Sequence, residues 1–555
     1  MTAATPFFSE QRWEFAPHER SPLPGGPATP DHPLGRRLLF GAIGILIGVT
    51  GGLGIALIQI NVLYLQGSLG LYQEEIAWLP AIYVMTNVPT GMILIKYRQQ
   101  FGLRSFTLIF LAIYCLLALG HLLVTGFWAA VAVRAASGIA GSALTTLGLM
   151  YLIQAFPAPM RLKGIAVGIS VPQLAYPIAR LFSTDLLAFD QWRTLSLFEF
   201  GMAMLCFAAI AVVRLPPTVR EKAFERLDIA TGLLFALGMA LLCAVLAIGR
   251  WAWWTDTAWI GWALAGCLPL FGAVFLLEYH RANPIIDFRW LGTLNFLRFV
   301  IIGVVARIVL SEQTYGSVGL LSVLGLTNDQ LFLFSVLTLL ASIAGVIVGA
   351  IMVGPGHLTQ PIALAIGLVA VAAWFDAGST SLTRPDQLYL TQMLIAFSTT
   401  LYIGPAILVG FAQVIAQGGK KLTSFIVLFA ATQSIGSLIG TALLSTYEVY
   451  SEKQHSFDIV EHLTATDPLV AQALAQSGNA VSGALLDPGI RGATGLSALN
   501  QRVALEANVL AYNDVFRLVA IMAAALTLFL FALLLHRRYE ARVATQAIPQ
   551  SGRIA

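Results

Sequence analysis

Apolar runs, each about 20 residues long and so about as long as a membrane-crossing helix, recur along most of this chain, separated by short polar connections. They begin near Leu38, Ile76, Phe106, Phe127, Ile165, Leu195, Ile229, Trp259, Phe299, Leu331, Ile362, Leu390, Ser424 and Val515. That pattern predicts about fourteen spans. The stretch from Phe299 to Gly354 is the least regular. Its "SEQTYGSVGLLSVLGLTNDQ" reads either as loop or as an extended helix end. Lys and Arg collect on alternate connections: "KYRQQFGLR", "PMRLKG", "RLPPTVREKAFERLD", "EYHRANPIIDFRWLG", "QGGKKL" and the closing "HRRYEARV". The connections between them, such as "GSLGLYQEE", "GRWAWWTDTA" and "GLTNDQ", carry few. The positive-inside rule then predicts both termini in the cytoplasm, and a miscount by one span would scramble the pattern.

Composition agrees with that reading. The chain is 57% hydrophobic and 11% charged, against about 25% charged in a soluble domain; its mean hydropathy is +0.79. It lacks the charge to cover a soluble surface, so the class is an all-α integral membrane protein. The net charge of +4 is spread thinly, and nucleic-acid binding has no support. Cys115, Cys206, Cys243 and Cys267 each sit in an apolar run without metal-like spacing and read as buried free thiols. Residues 1–37, polar and Pro-rich, predict a disordered cytoplasmic tail with no cleavable signal peptide. The connection from 448 to 513 is long, and two of its segments have helical periodicity. It predicts a helical hairpin on the outer side, either a partner contact or a lid without one.

Ionisable residues at membrane depth usually face a bundle interior or an aqueous cavity. Arg134, Arg180, Glu199 and Arg307 stand out; Glu312 and Asp376 lie nearer the outer ends of their spans and carry less weight. Arg134 heads a helical face continued by Gly138, Gly141, Thr145 and Gly148. Small faces let helices pack closely; the competing reading is an arginine snorkelling to the outer interface. Gln173, Tyr176, Pro177 and Arg180 share one face of a span with two prolines, which predicts a kinked, cavity-lining helix or a kink without a ligand. Glu199, at similar depth to Arg134 and Arg180, is positioned to partner one of them. It then serves either as a fixed ion pair or as a carboxylate that takes and releases protons as its surroundings alternate. Arg307 is the equivalent in the second half, with Glu312 as its local partner.

Several segments resemble the fourteen-span drug:proton antiporter branch of the major facilitator superfamily. "RAASGIAGSA" resembles the family's fourth-span pattern, which maps onto Arg134, Gly138 and Gly141. "INVLYLQGSLGLYQEEIAWLPAIYVM" resembles the end of the first span and the start of the second, with Asn61 and Trp78 in matching places. "DQWRTLSLFEF", "NPIIDFRWLGTLNF", "ATQSIGSLIGTALLSTY" and "YNDVFRLVAIMAA" follow in family order, so the likeness extends from about residue 40 to 540. Three features depart from it. The first span reads "VTGGLGIALIQINV", without the family's aspartate. The loop between spans two and three, "KYRQQFGLRS", keeps Gly102 and Arg104 but lacks an aspartate. In the fifth span, "YPIARL" keeps Pro177 but has Arg180 where a glycine is usual.

The resemblance implies a major facilitator fold, two six-helix bundles plus two extra central helices. The layout that follows is an N-terminal bundle over 38–214, a cytoplasmic linker over 215–227 and two additional transmembrane helices over 228–278. Next come the first five helices of a C-terminal bundle over 279–447, the outer hairpin loop over 448–513, the last transmembrane helix over 514–536 and a cytoplasmic tail over 537–555. It implies a multi-pass protein of the cell inner membrane that exports small amphipathic compounds or drugs, driven by the proton gradient without a cofactor. Glu199 stands in for the missing first-span acid. Asn61 and Gln433 join Gln173, Tyr176 and Pro177 as candidate substrate-cavity residues. The alternatives are an exporter of a specific, anionic metabolite or siderophore, and a transporter-like sensor that moves nothing. Some relatives work with a periplasmic membrane-fusion adaptor, and the outer hairpin is the surface that would meet one. The aromatic "GRWAWWTDTAWIGW" reads as an interfacial anchor. No Walker A loop, zinc motif or nucleophile elbow occurs, which disfavours an enzyme.

Overall fold

The computed structural model describes residues 16, 19–21, 23–182, 187, 193–354, 358–416, 421–464, 466–479 and 487–546. The first 15 residues of the predicted N-terminal tail, the Trp192 at the start of the sixth span, most of "QGGKKL" and the centre of the predicted hairpin lie outside these residues.

The first half contains α1 (Leu34–Ile60), the short α2 (Val62–Leu69), α3 (Gln73–Phe101), α4 (Leu103–Gly120) and α5 (Phe127–Ala155). These are followed by α6 (Arg161–Ser170), α7 (Ala175–Ala179) and α8 (Arg193–Val212). Two helices come next, α9 (Arg226–Ile248) and α10 (Ala258–Tyr279). The second half has α11 (Phe288–Leu291), α12 (Leu294–Leu310), α13 (Glu312–Val323), α14 (Phe332–Met352), α15 (Thr359–Asp376) and α16 (Tyr389–Ala416). It ends with α17 (Leu422–His462), α18 (Pro468–Asn479) and α19 (Pro488–Gln546). Among the described residues, 12 helices are long and apolar enough to cross a bilayer.

Two further apolar runs are interrupted and fall below that length. Between α6 and α7 the chain tightens into a 3-10 turn over Val171–Leu174. Pro172 has no N–H to give the helical ladder, and Pro177 follows in the next turn. The break between α12 and α13 has no proline. There the Ser311 hydroxyl donates back to the Arg307 carbonyl at 2.9 Å, a local bond that competes with the ladder. The face at which α1 begins is called the tail face below, and the opposite one the loop face.

Each bundle is held by close helix crossings. The contact of α1 with α5 depends on paired glycines: a Cβ on Gly148 would sit 2.8 Å from the Gly48 nitrogen. Where α3 crosses α5, a Cβ on Gly138 would lie 2.4 Å from the Tyr83 carbonyl oxygen. This approach lets the Thr86 hydroxyl donate to the Ala135 carbonyl at 2.8 Å and the Asn87 amide to the Gly138 carbonyl at 3.0 Å. The second bundle repeats the device between α14 and α16. A Cβ on Gly345 would lie 2.3 Å from the Phe397 carbonyl, and the Thr400 hydroxyl donates to the Ser342 carbonyl at 2.9 Å.

The bundles meet where α6 packs on α14 and α16, and where α9 packs between α3 and α17. A buried charge cluster pins α9 at the tail face. Asp228 accepts from Lys96 at 2.9 Å and from Arg281 at 2.7 Å, and Arg281 also reaches Glu278 at 2.6 Å and Glu225 at 2.8 Å. Burial alone would lower the Arg281 pKa, but the three carboxylates raise it above its ordinary value. The hydrogen bond from Arg281 in turn holds Glu225 below the usual carboxylate range.

Two expectations are corrected. The final part of the predicted disordered tail, residues 23–33, is a packed strap, and α1 starts at Leu34 rather than 38. Leu23, Ala28 and Thr29 are buried, and the Ala28 N–H donates to Pro217 at 3.0 Å. The strap is ordered because Gln154, buried at the end of α5, needs partners there. It donates to the Ala28 carbonyl at 2.9 Å and shares a 3.0 Å bond with His32. The outer hairpin is also not a separate unit. α17 runs unbroken to His462 and α19 starts at Pro488, so both spans project beyond the loop face, with α18 packed on α19. No proline interrupts residues 422–462, so nothing in that segment ends the helix at the interface. The two extensions are tied by His455 to Asp514 at 2.7 Å.

Candidate substrate cavity and intramembrane polar networks

A cavity of ≈ 480 Å³ lies between the two bundles, and one of ≈ 270 Å³ continues it toward the tail face. The two share Asn87, Thr145, Pro172, Gln173, Gln433 and Ser434 as a polar belt. A side pocket of ≈ 40 Å³ is lined by Gln173, Tyr176, Pro177 and Arg180 from the first bundle and Arg307 from the second. Leu23 and Pro24 of the strap line the cavity at the tail face.

The charged residues in these walls are all cationic: Arg98, Arg180, Arg250 and Arg307, with no Asp or Glu among the described lining residues. Arg250 is neutralised by Glu448 at 3.0 Å, a carboxylate behind the wall that also accepts from the Tyr315 hydroxyl at 3.0 Å. Arg180 is 7% exposed, and no ion pair joins it or Arg307 to a described carboxylate. The Arg307 Nε and both polar atoms of the Gln433 amide are buried without hydrogen-bond partners. The Tyr402 hydroxyl stands beside Gln433 without completing a bond of normal geometry.

At the loop face the bundles are tied to each other. The Asn328 amide donates to Asn61 Oδ1 at 3.0 Å and to the Phe182 carbonyl at 3.2 Å. Asn61 in turn donates to the carbonyls of Leu57 at 2.9 Å and Ala179 at 3.0 Å.

Two further buried polar networks lie within the bundles, the first touching the main cavity through Tyr83. In the first bundle Arg134, 1% exposed, donates to the Gly54 carbonyl at 2.7 Å and lies over the Tyr83 ring at 4.7 Å. Glu199 accepts from the Tyr114 hydroxyl at 2.5 Å. The Glu199 carboxylate and the hydroxyls of Tyr83 and Tyr114 all gather at Gly54, with Glu199 Oε1 3.6 Å from where a Cβ would stand. In the second bundle the Gln392 amide nitrogen donates to Glu312 at 3.2 Å and to Asp376 at 2.8 Å. All three of these residues are buried.

No family model matches the chain. Over 496 residues it is 22% identical to the uncharacterized MFS-type transporter YhcA of Bacillus subtilis, covering 85% of this chain and 89% of that one. Over 228 residues it is 28% identical to the major facilitator superfamily multidrug transporter mfsC of Aspergillus fumigatus, covering 40% and 43%. Among solved structures it superposes on tetrameric PepTSo2 with a TM-score of 0.52 at 12% identity, covering 91% of this chain and 99% of that one. It superposes on the human organic anion transporter MFSD10 with a TM-score of 0.50 at 12% identity, covering 89% and 100%. The chain is therefore similar along most of its length to a transporter of the major facilitator superfamily, and its fold is shared with solved transporters.

Like these relatives it is a multi-pass membrane protein, built on helices long and apolar enough to cross a bilayer. Gln173, Tyr176, Pro177 and Arg180 do share one face, despite the break in their span, and Arg307 and Gln433 meet them across the bundle interface. Asn61 lines none of the three cavities and belongs to the loop-face tie instead. Gly138 and Gly141 pack on Tyr83 of α3, and Gly148 packs on α1. Arg134 does not snorkel, because its guanidinium ends inside the bundle. Neither Arg134 nor Arg180 forms an ion pair with Glu199, whose hydrogen-bond partner is Tyr114. Glu312 is not the partner of Arg307. Five helical residues turn a side chain by about 140°, so the arginine faces the cavity and the glutamate faces α16. Residue reading missed Gln392 and Asn328. Gln392 was detectable as a lone amide in the apolar "YLTQMLIAF", but its partners were not.

Proposed function

We propose that this protein is a secondary exporter of small amphipathic organic compounds, working by alternating access and driven by the proton gradient. The observation that carries the reading is the central cavity. It is shared by both bundles, bridged at the loop face by the Asn61–Asn328 tie, and lined by apolar and aromatic side chains with a belt of amides. Such a wall holds amphipathic molecules without demanding one shape. The multidrug transporter named among its relatives supports the same reading. The two interrupted runs, 161–179 and 294–323, complete fourteen spans, arranged as two bundles of six with α9 and α10 between them. The tail face is cytoplasmic in an inner-membrane setting, as the Lys and Arg bias favours. The extensions of α17 and α19 then stand outside, where a membrane-fusion adaptor would dock. Glu199 with Tyr114 and Arg134 is the acid network of the first bundle available for coupling.

A specific observation favours one substrate class. Two buried arginines, Arg180 and Arg307, enter the walls without a described carboxylate, and no described acid faces them. An anionic amphipath would supply the missing charge. The test is export of anionic, neutral and cationic fluorescent amphipaths from cells stripped of other exporters. The anionic members should be exported fastest, and Arg307→Ala should lose that preference. Binding without flux, for every probe, would overturn the transporter reading in favour of a sensor.

A further inference from the structure

We propose that Glu312 and Asp376 share a single transferable proton, and that this pair in the second bundle is the site through which proton binding moves the broken helix α12–α13. The inference deepens the proton-coupled reading above and rests on it.

The two carboxylates bond to the same nitrogen, Gln392 Nε2, at 3.2 and 2.8 Å, and are 0% and 2% exposed. No described Lys, Arg or His forms an ion pair with either. The groups that face the pair are uncharged. On α16 they are Thr391 and Gln392, and on α19 Tyr512, Asn513 and Phe516. Tyr315 on α13 is turned to Glu448, which Arg250 neutralises. Two ionised carboxylates in one dry site, with a neutral amide as their only shared donor, repel strongly; one proton between them removes the conflict.

A second observation points to the same ligand. Glu312 Oε2 and Gln392 Oε1 are buried with no partner. Glu312 folds along its own helix, with Oε1 3.2 Å from where a Cβ on Gly316 would stand, toward Ser317. The Ser317 hydroxyl is itself fully buried and unpartnered. A site with this many spare oxygens and no cation is arranged to accept an O–H.

The placement couples that proton to the cavity. Glu312 begins α13 immediately after the break, while Ser311, Gln313 and Thr314 on either side line the side pocket, together with Arg307 of α12. Loading one proton leaves the pair with one O–H and one negative charge. Losing it leaves two charges that must separate or draw in water, and α13 is the element free to move at Ser311. Only an O–H bond forms and breaks, and the proton is exchanged with water on each side in turn.

The test uses purified full-length protein. Infrared difference spectra across a pH titration should show a carboxylic-acid C=O band that vanishes on deprotonation. That band should be missing in Glu312→Gln and in Asp376→Asn. A band unchanged in both variants would overturn the proposal. So would a wild type with no band whose transport requires sodium rather than choline, which would indicate a metal cation at the site. In proteoliposomes an anionic fluorescent amphipath should be driven by a pH gradient in the wild type. Glu312→Gln should lose that drive while keeping exchange without a gradient. If the wild type shows the titrating band but no gradient-driven movement, the proton-coupled export reading fails while the shared proton stands.

Discussion

Replacing Gly138 with Ala tests whether the α3–α5 crossing is as tight as described. The added Cβ would stand 2.4 Å from the Tyr83 carbonyl oxygen and 2.1 Å from Thr86 Oγ1. The carbonyl is backbone, so relief needs α3 and α5 to separate by several tenths of an ångström. Overpacking of this kind costs about 1–3 kcal/mol. The separation also strains the Thr86–Ala135 and Asn87–Gly138 bonds, each worth about 0.6 kcal/mol in a membrane bundle. The expected destabilisation is therefore about 2–4 kcal/mol, only partly offset by alanine's better helix propensity, about 1 kcal/mol. Gly345→Ala should behave alike, because its Cβ meets Phe397 O at 2.3 Å. Gly272→Ala on α10, with nothing within 4 Å, is the control and should be neutral or stabilising. Unfolding of detergent-solubilised protein, followed by tryptophan fluorescence against denaturant, reads all three. If Gly138→Ala unfolds with the control, the crossing is looser than described and the reasoning fails.

Three further outcomes are expected. Burial holds the His32 imidazole below its ordinary pKa of 6.5, so docking of the strap is favoured above that value and is lost as pH falls through it toward the folded pKa. The protection of residues 23–33 against hydrogen exchange, corrected for the intrinsic pH dependence of exchange, should fall as pH drops from about 8 to about 5.5, and His32→Phe should flatten that dependence. Asn328→Ala removes two loop-face bonds, worth about 1 kcal/mol each, and should raise thiol labelling of a cysteine placed near Asn61 by up to about thirtyfold; unchanged labelling would mean the tie does not hold the bundles together at that face. Arg307→Lys should keep part of the affinity for an anionic amphipath that Arg307→Ala loses, with transport KM rising more than Vmax falls.

Much of this architecture is written locally. Apolar run lengths locate the spans, and Pro172 and Pro177 announce the interrupted fifth run. The glycine face after Arg134 is a repeat at helical spacing, visible in any window that contains it. The parts that were not legible depend on partners far along the chain. Gln392 meets Glu312 across 80 positions, and Asn61 meets Asn328 across 267. Nothing near Asn61 says that it ties two bundles rather than lines a cavity. Nothing near Ser311 marks a break, because the serine bond that competes with the ladder suits an intact helix as well. The strap misled for a similar reason: its composition is that of a disordered tail, and its order is imposed by Gln154 and Pro217.

The unbroken extensions of α17 and α19 make the second bundle a lever whose handle projects beyond the loop face. From Glu448 to His462 the helix has risen about 20 Å. A rocking of roughly 10° about the bundle centre, carried by a helix with no hinge in that stretch, would displace the tip by several ångströms. His455–Asp514 cross-braces the two arms so that they swing together. Any protein gripping this handle would feel each transport cycle as mechanical displacement, and holding the handle still would stall the cycle.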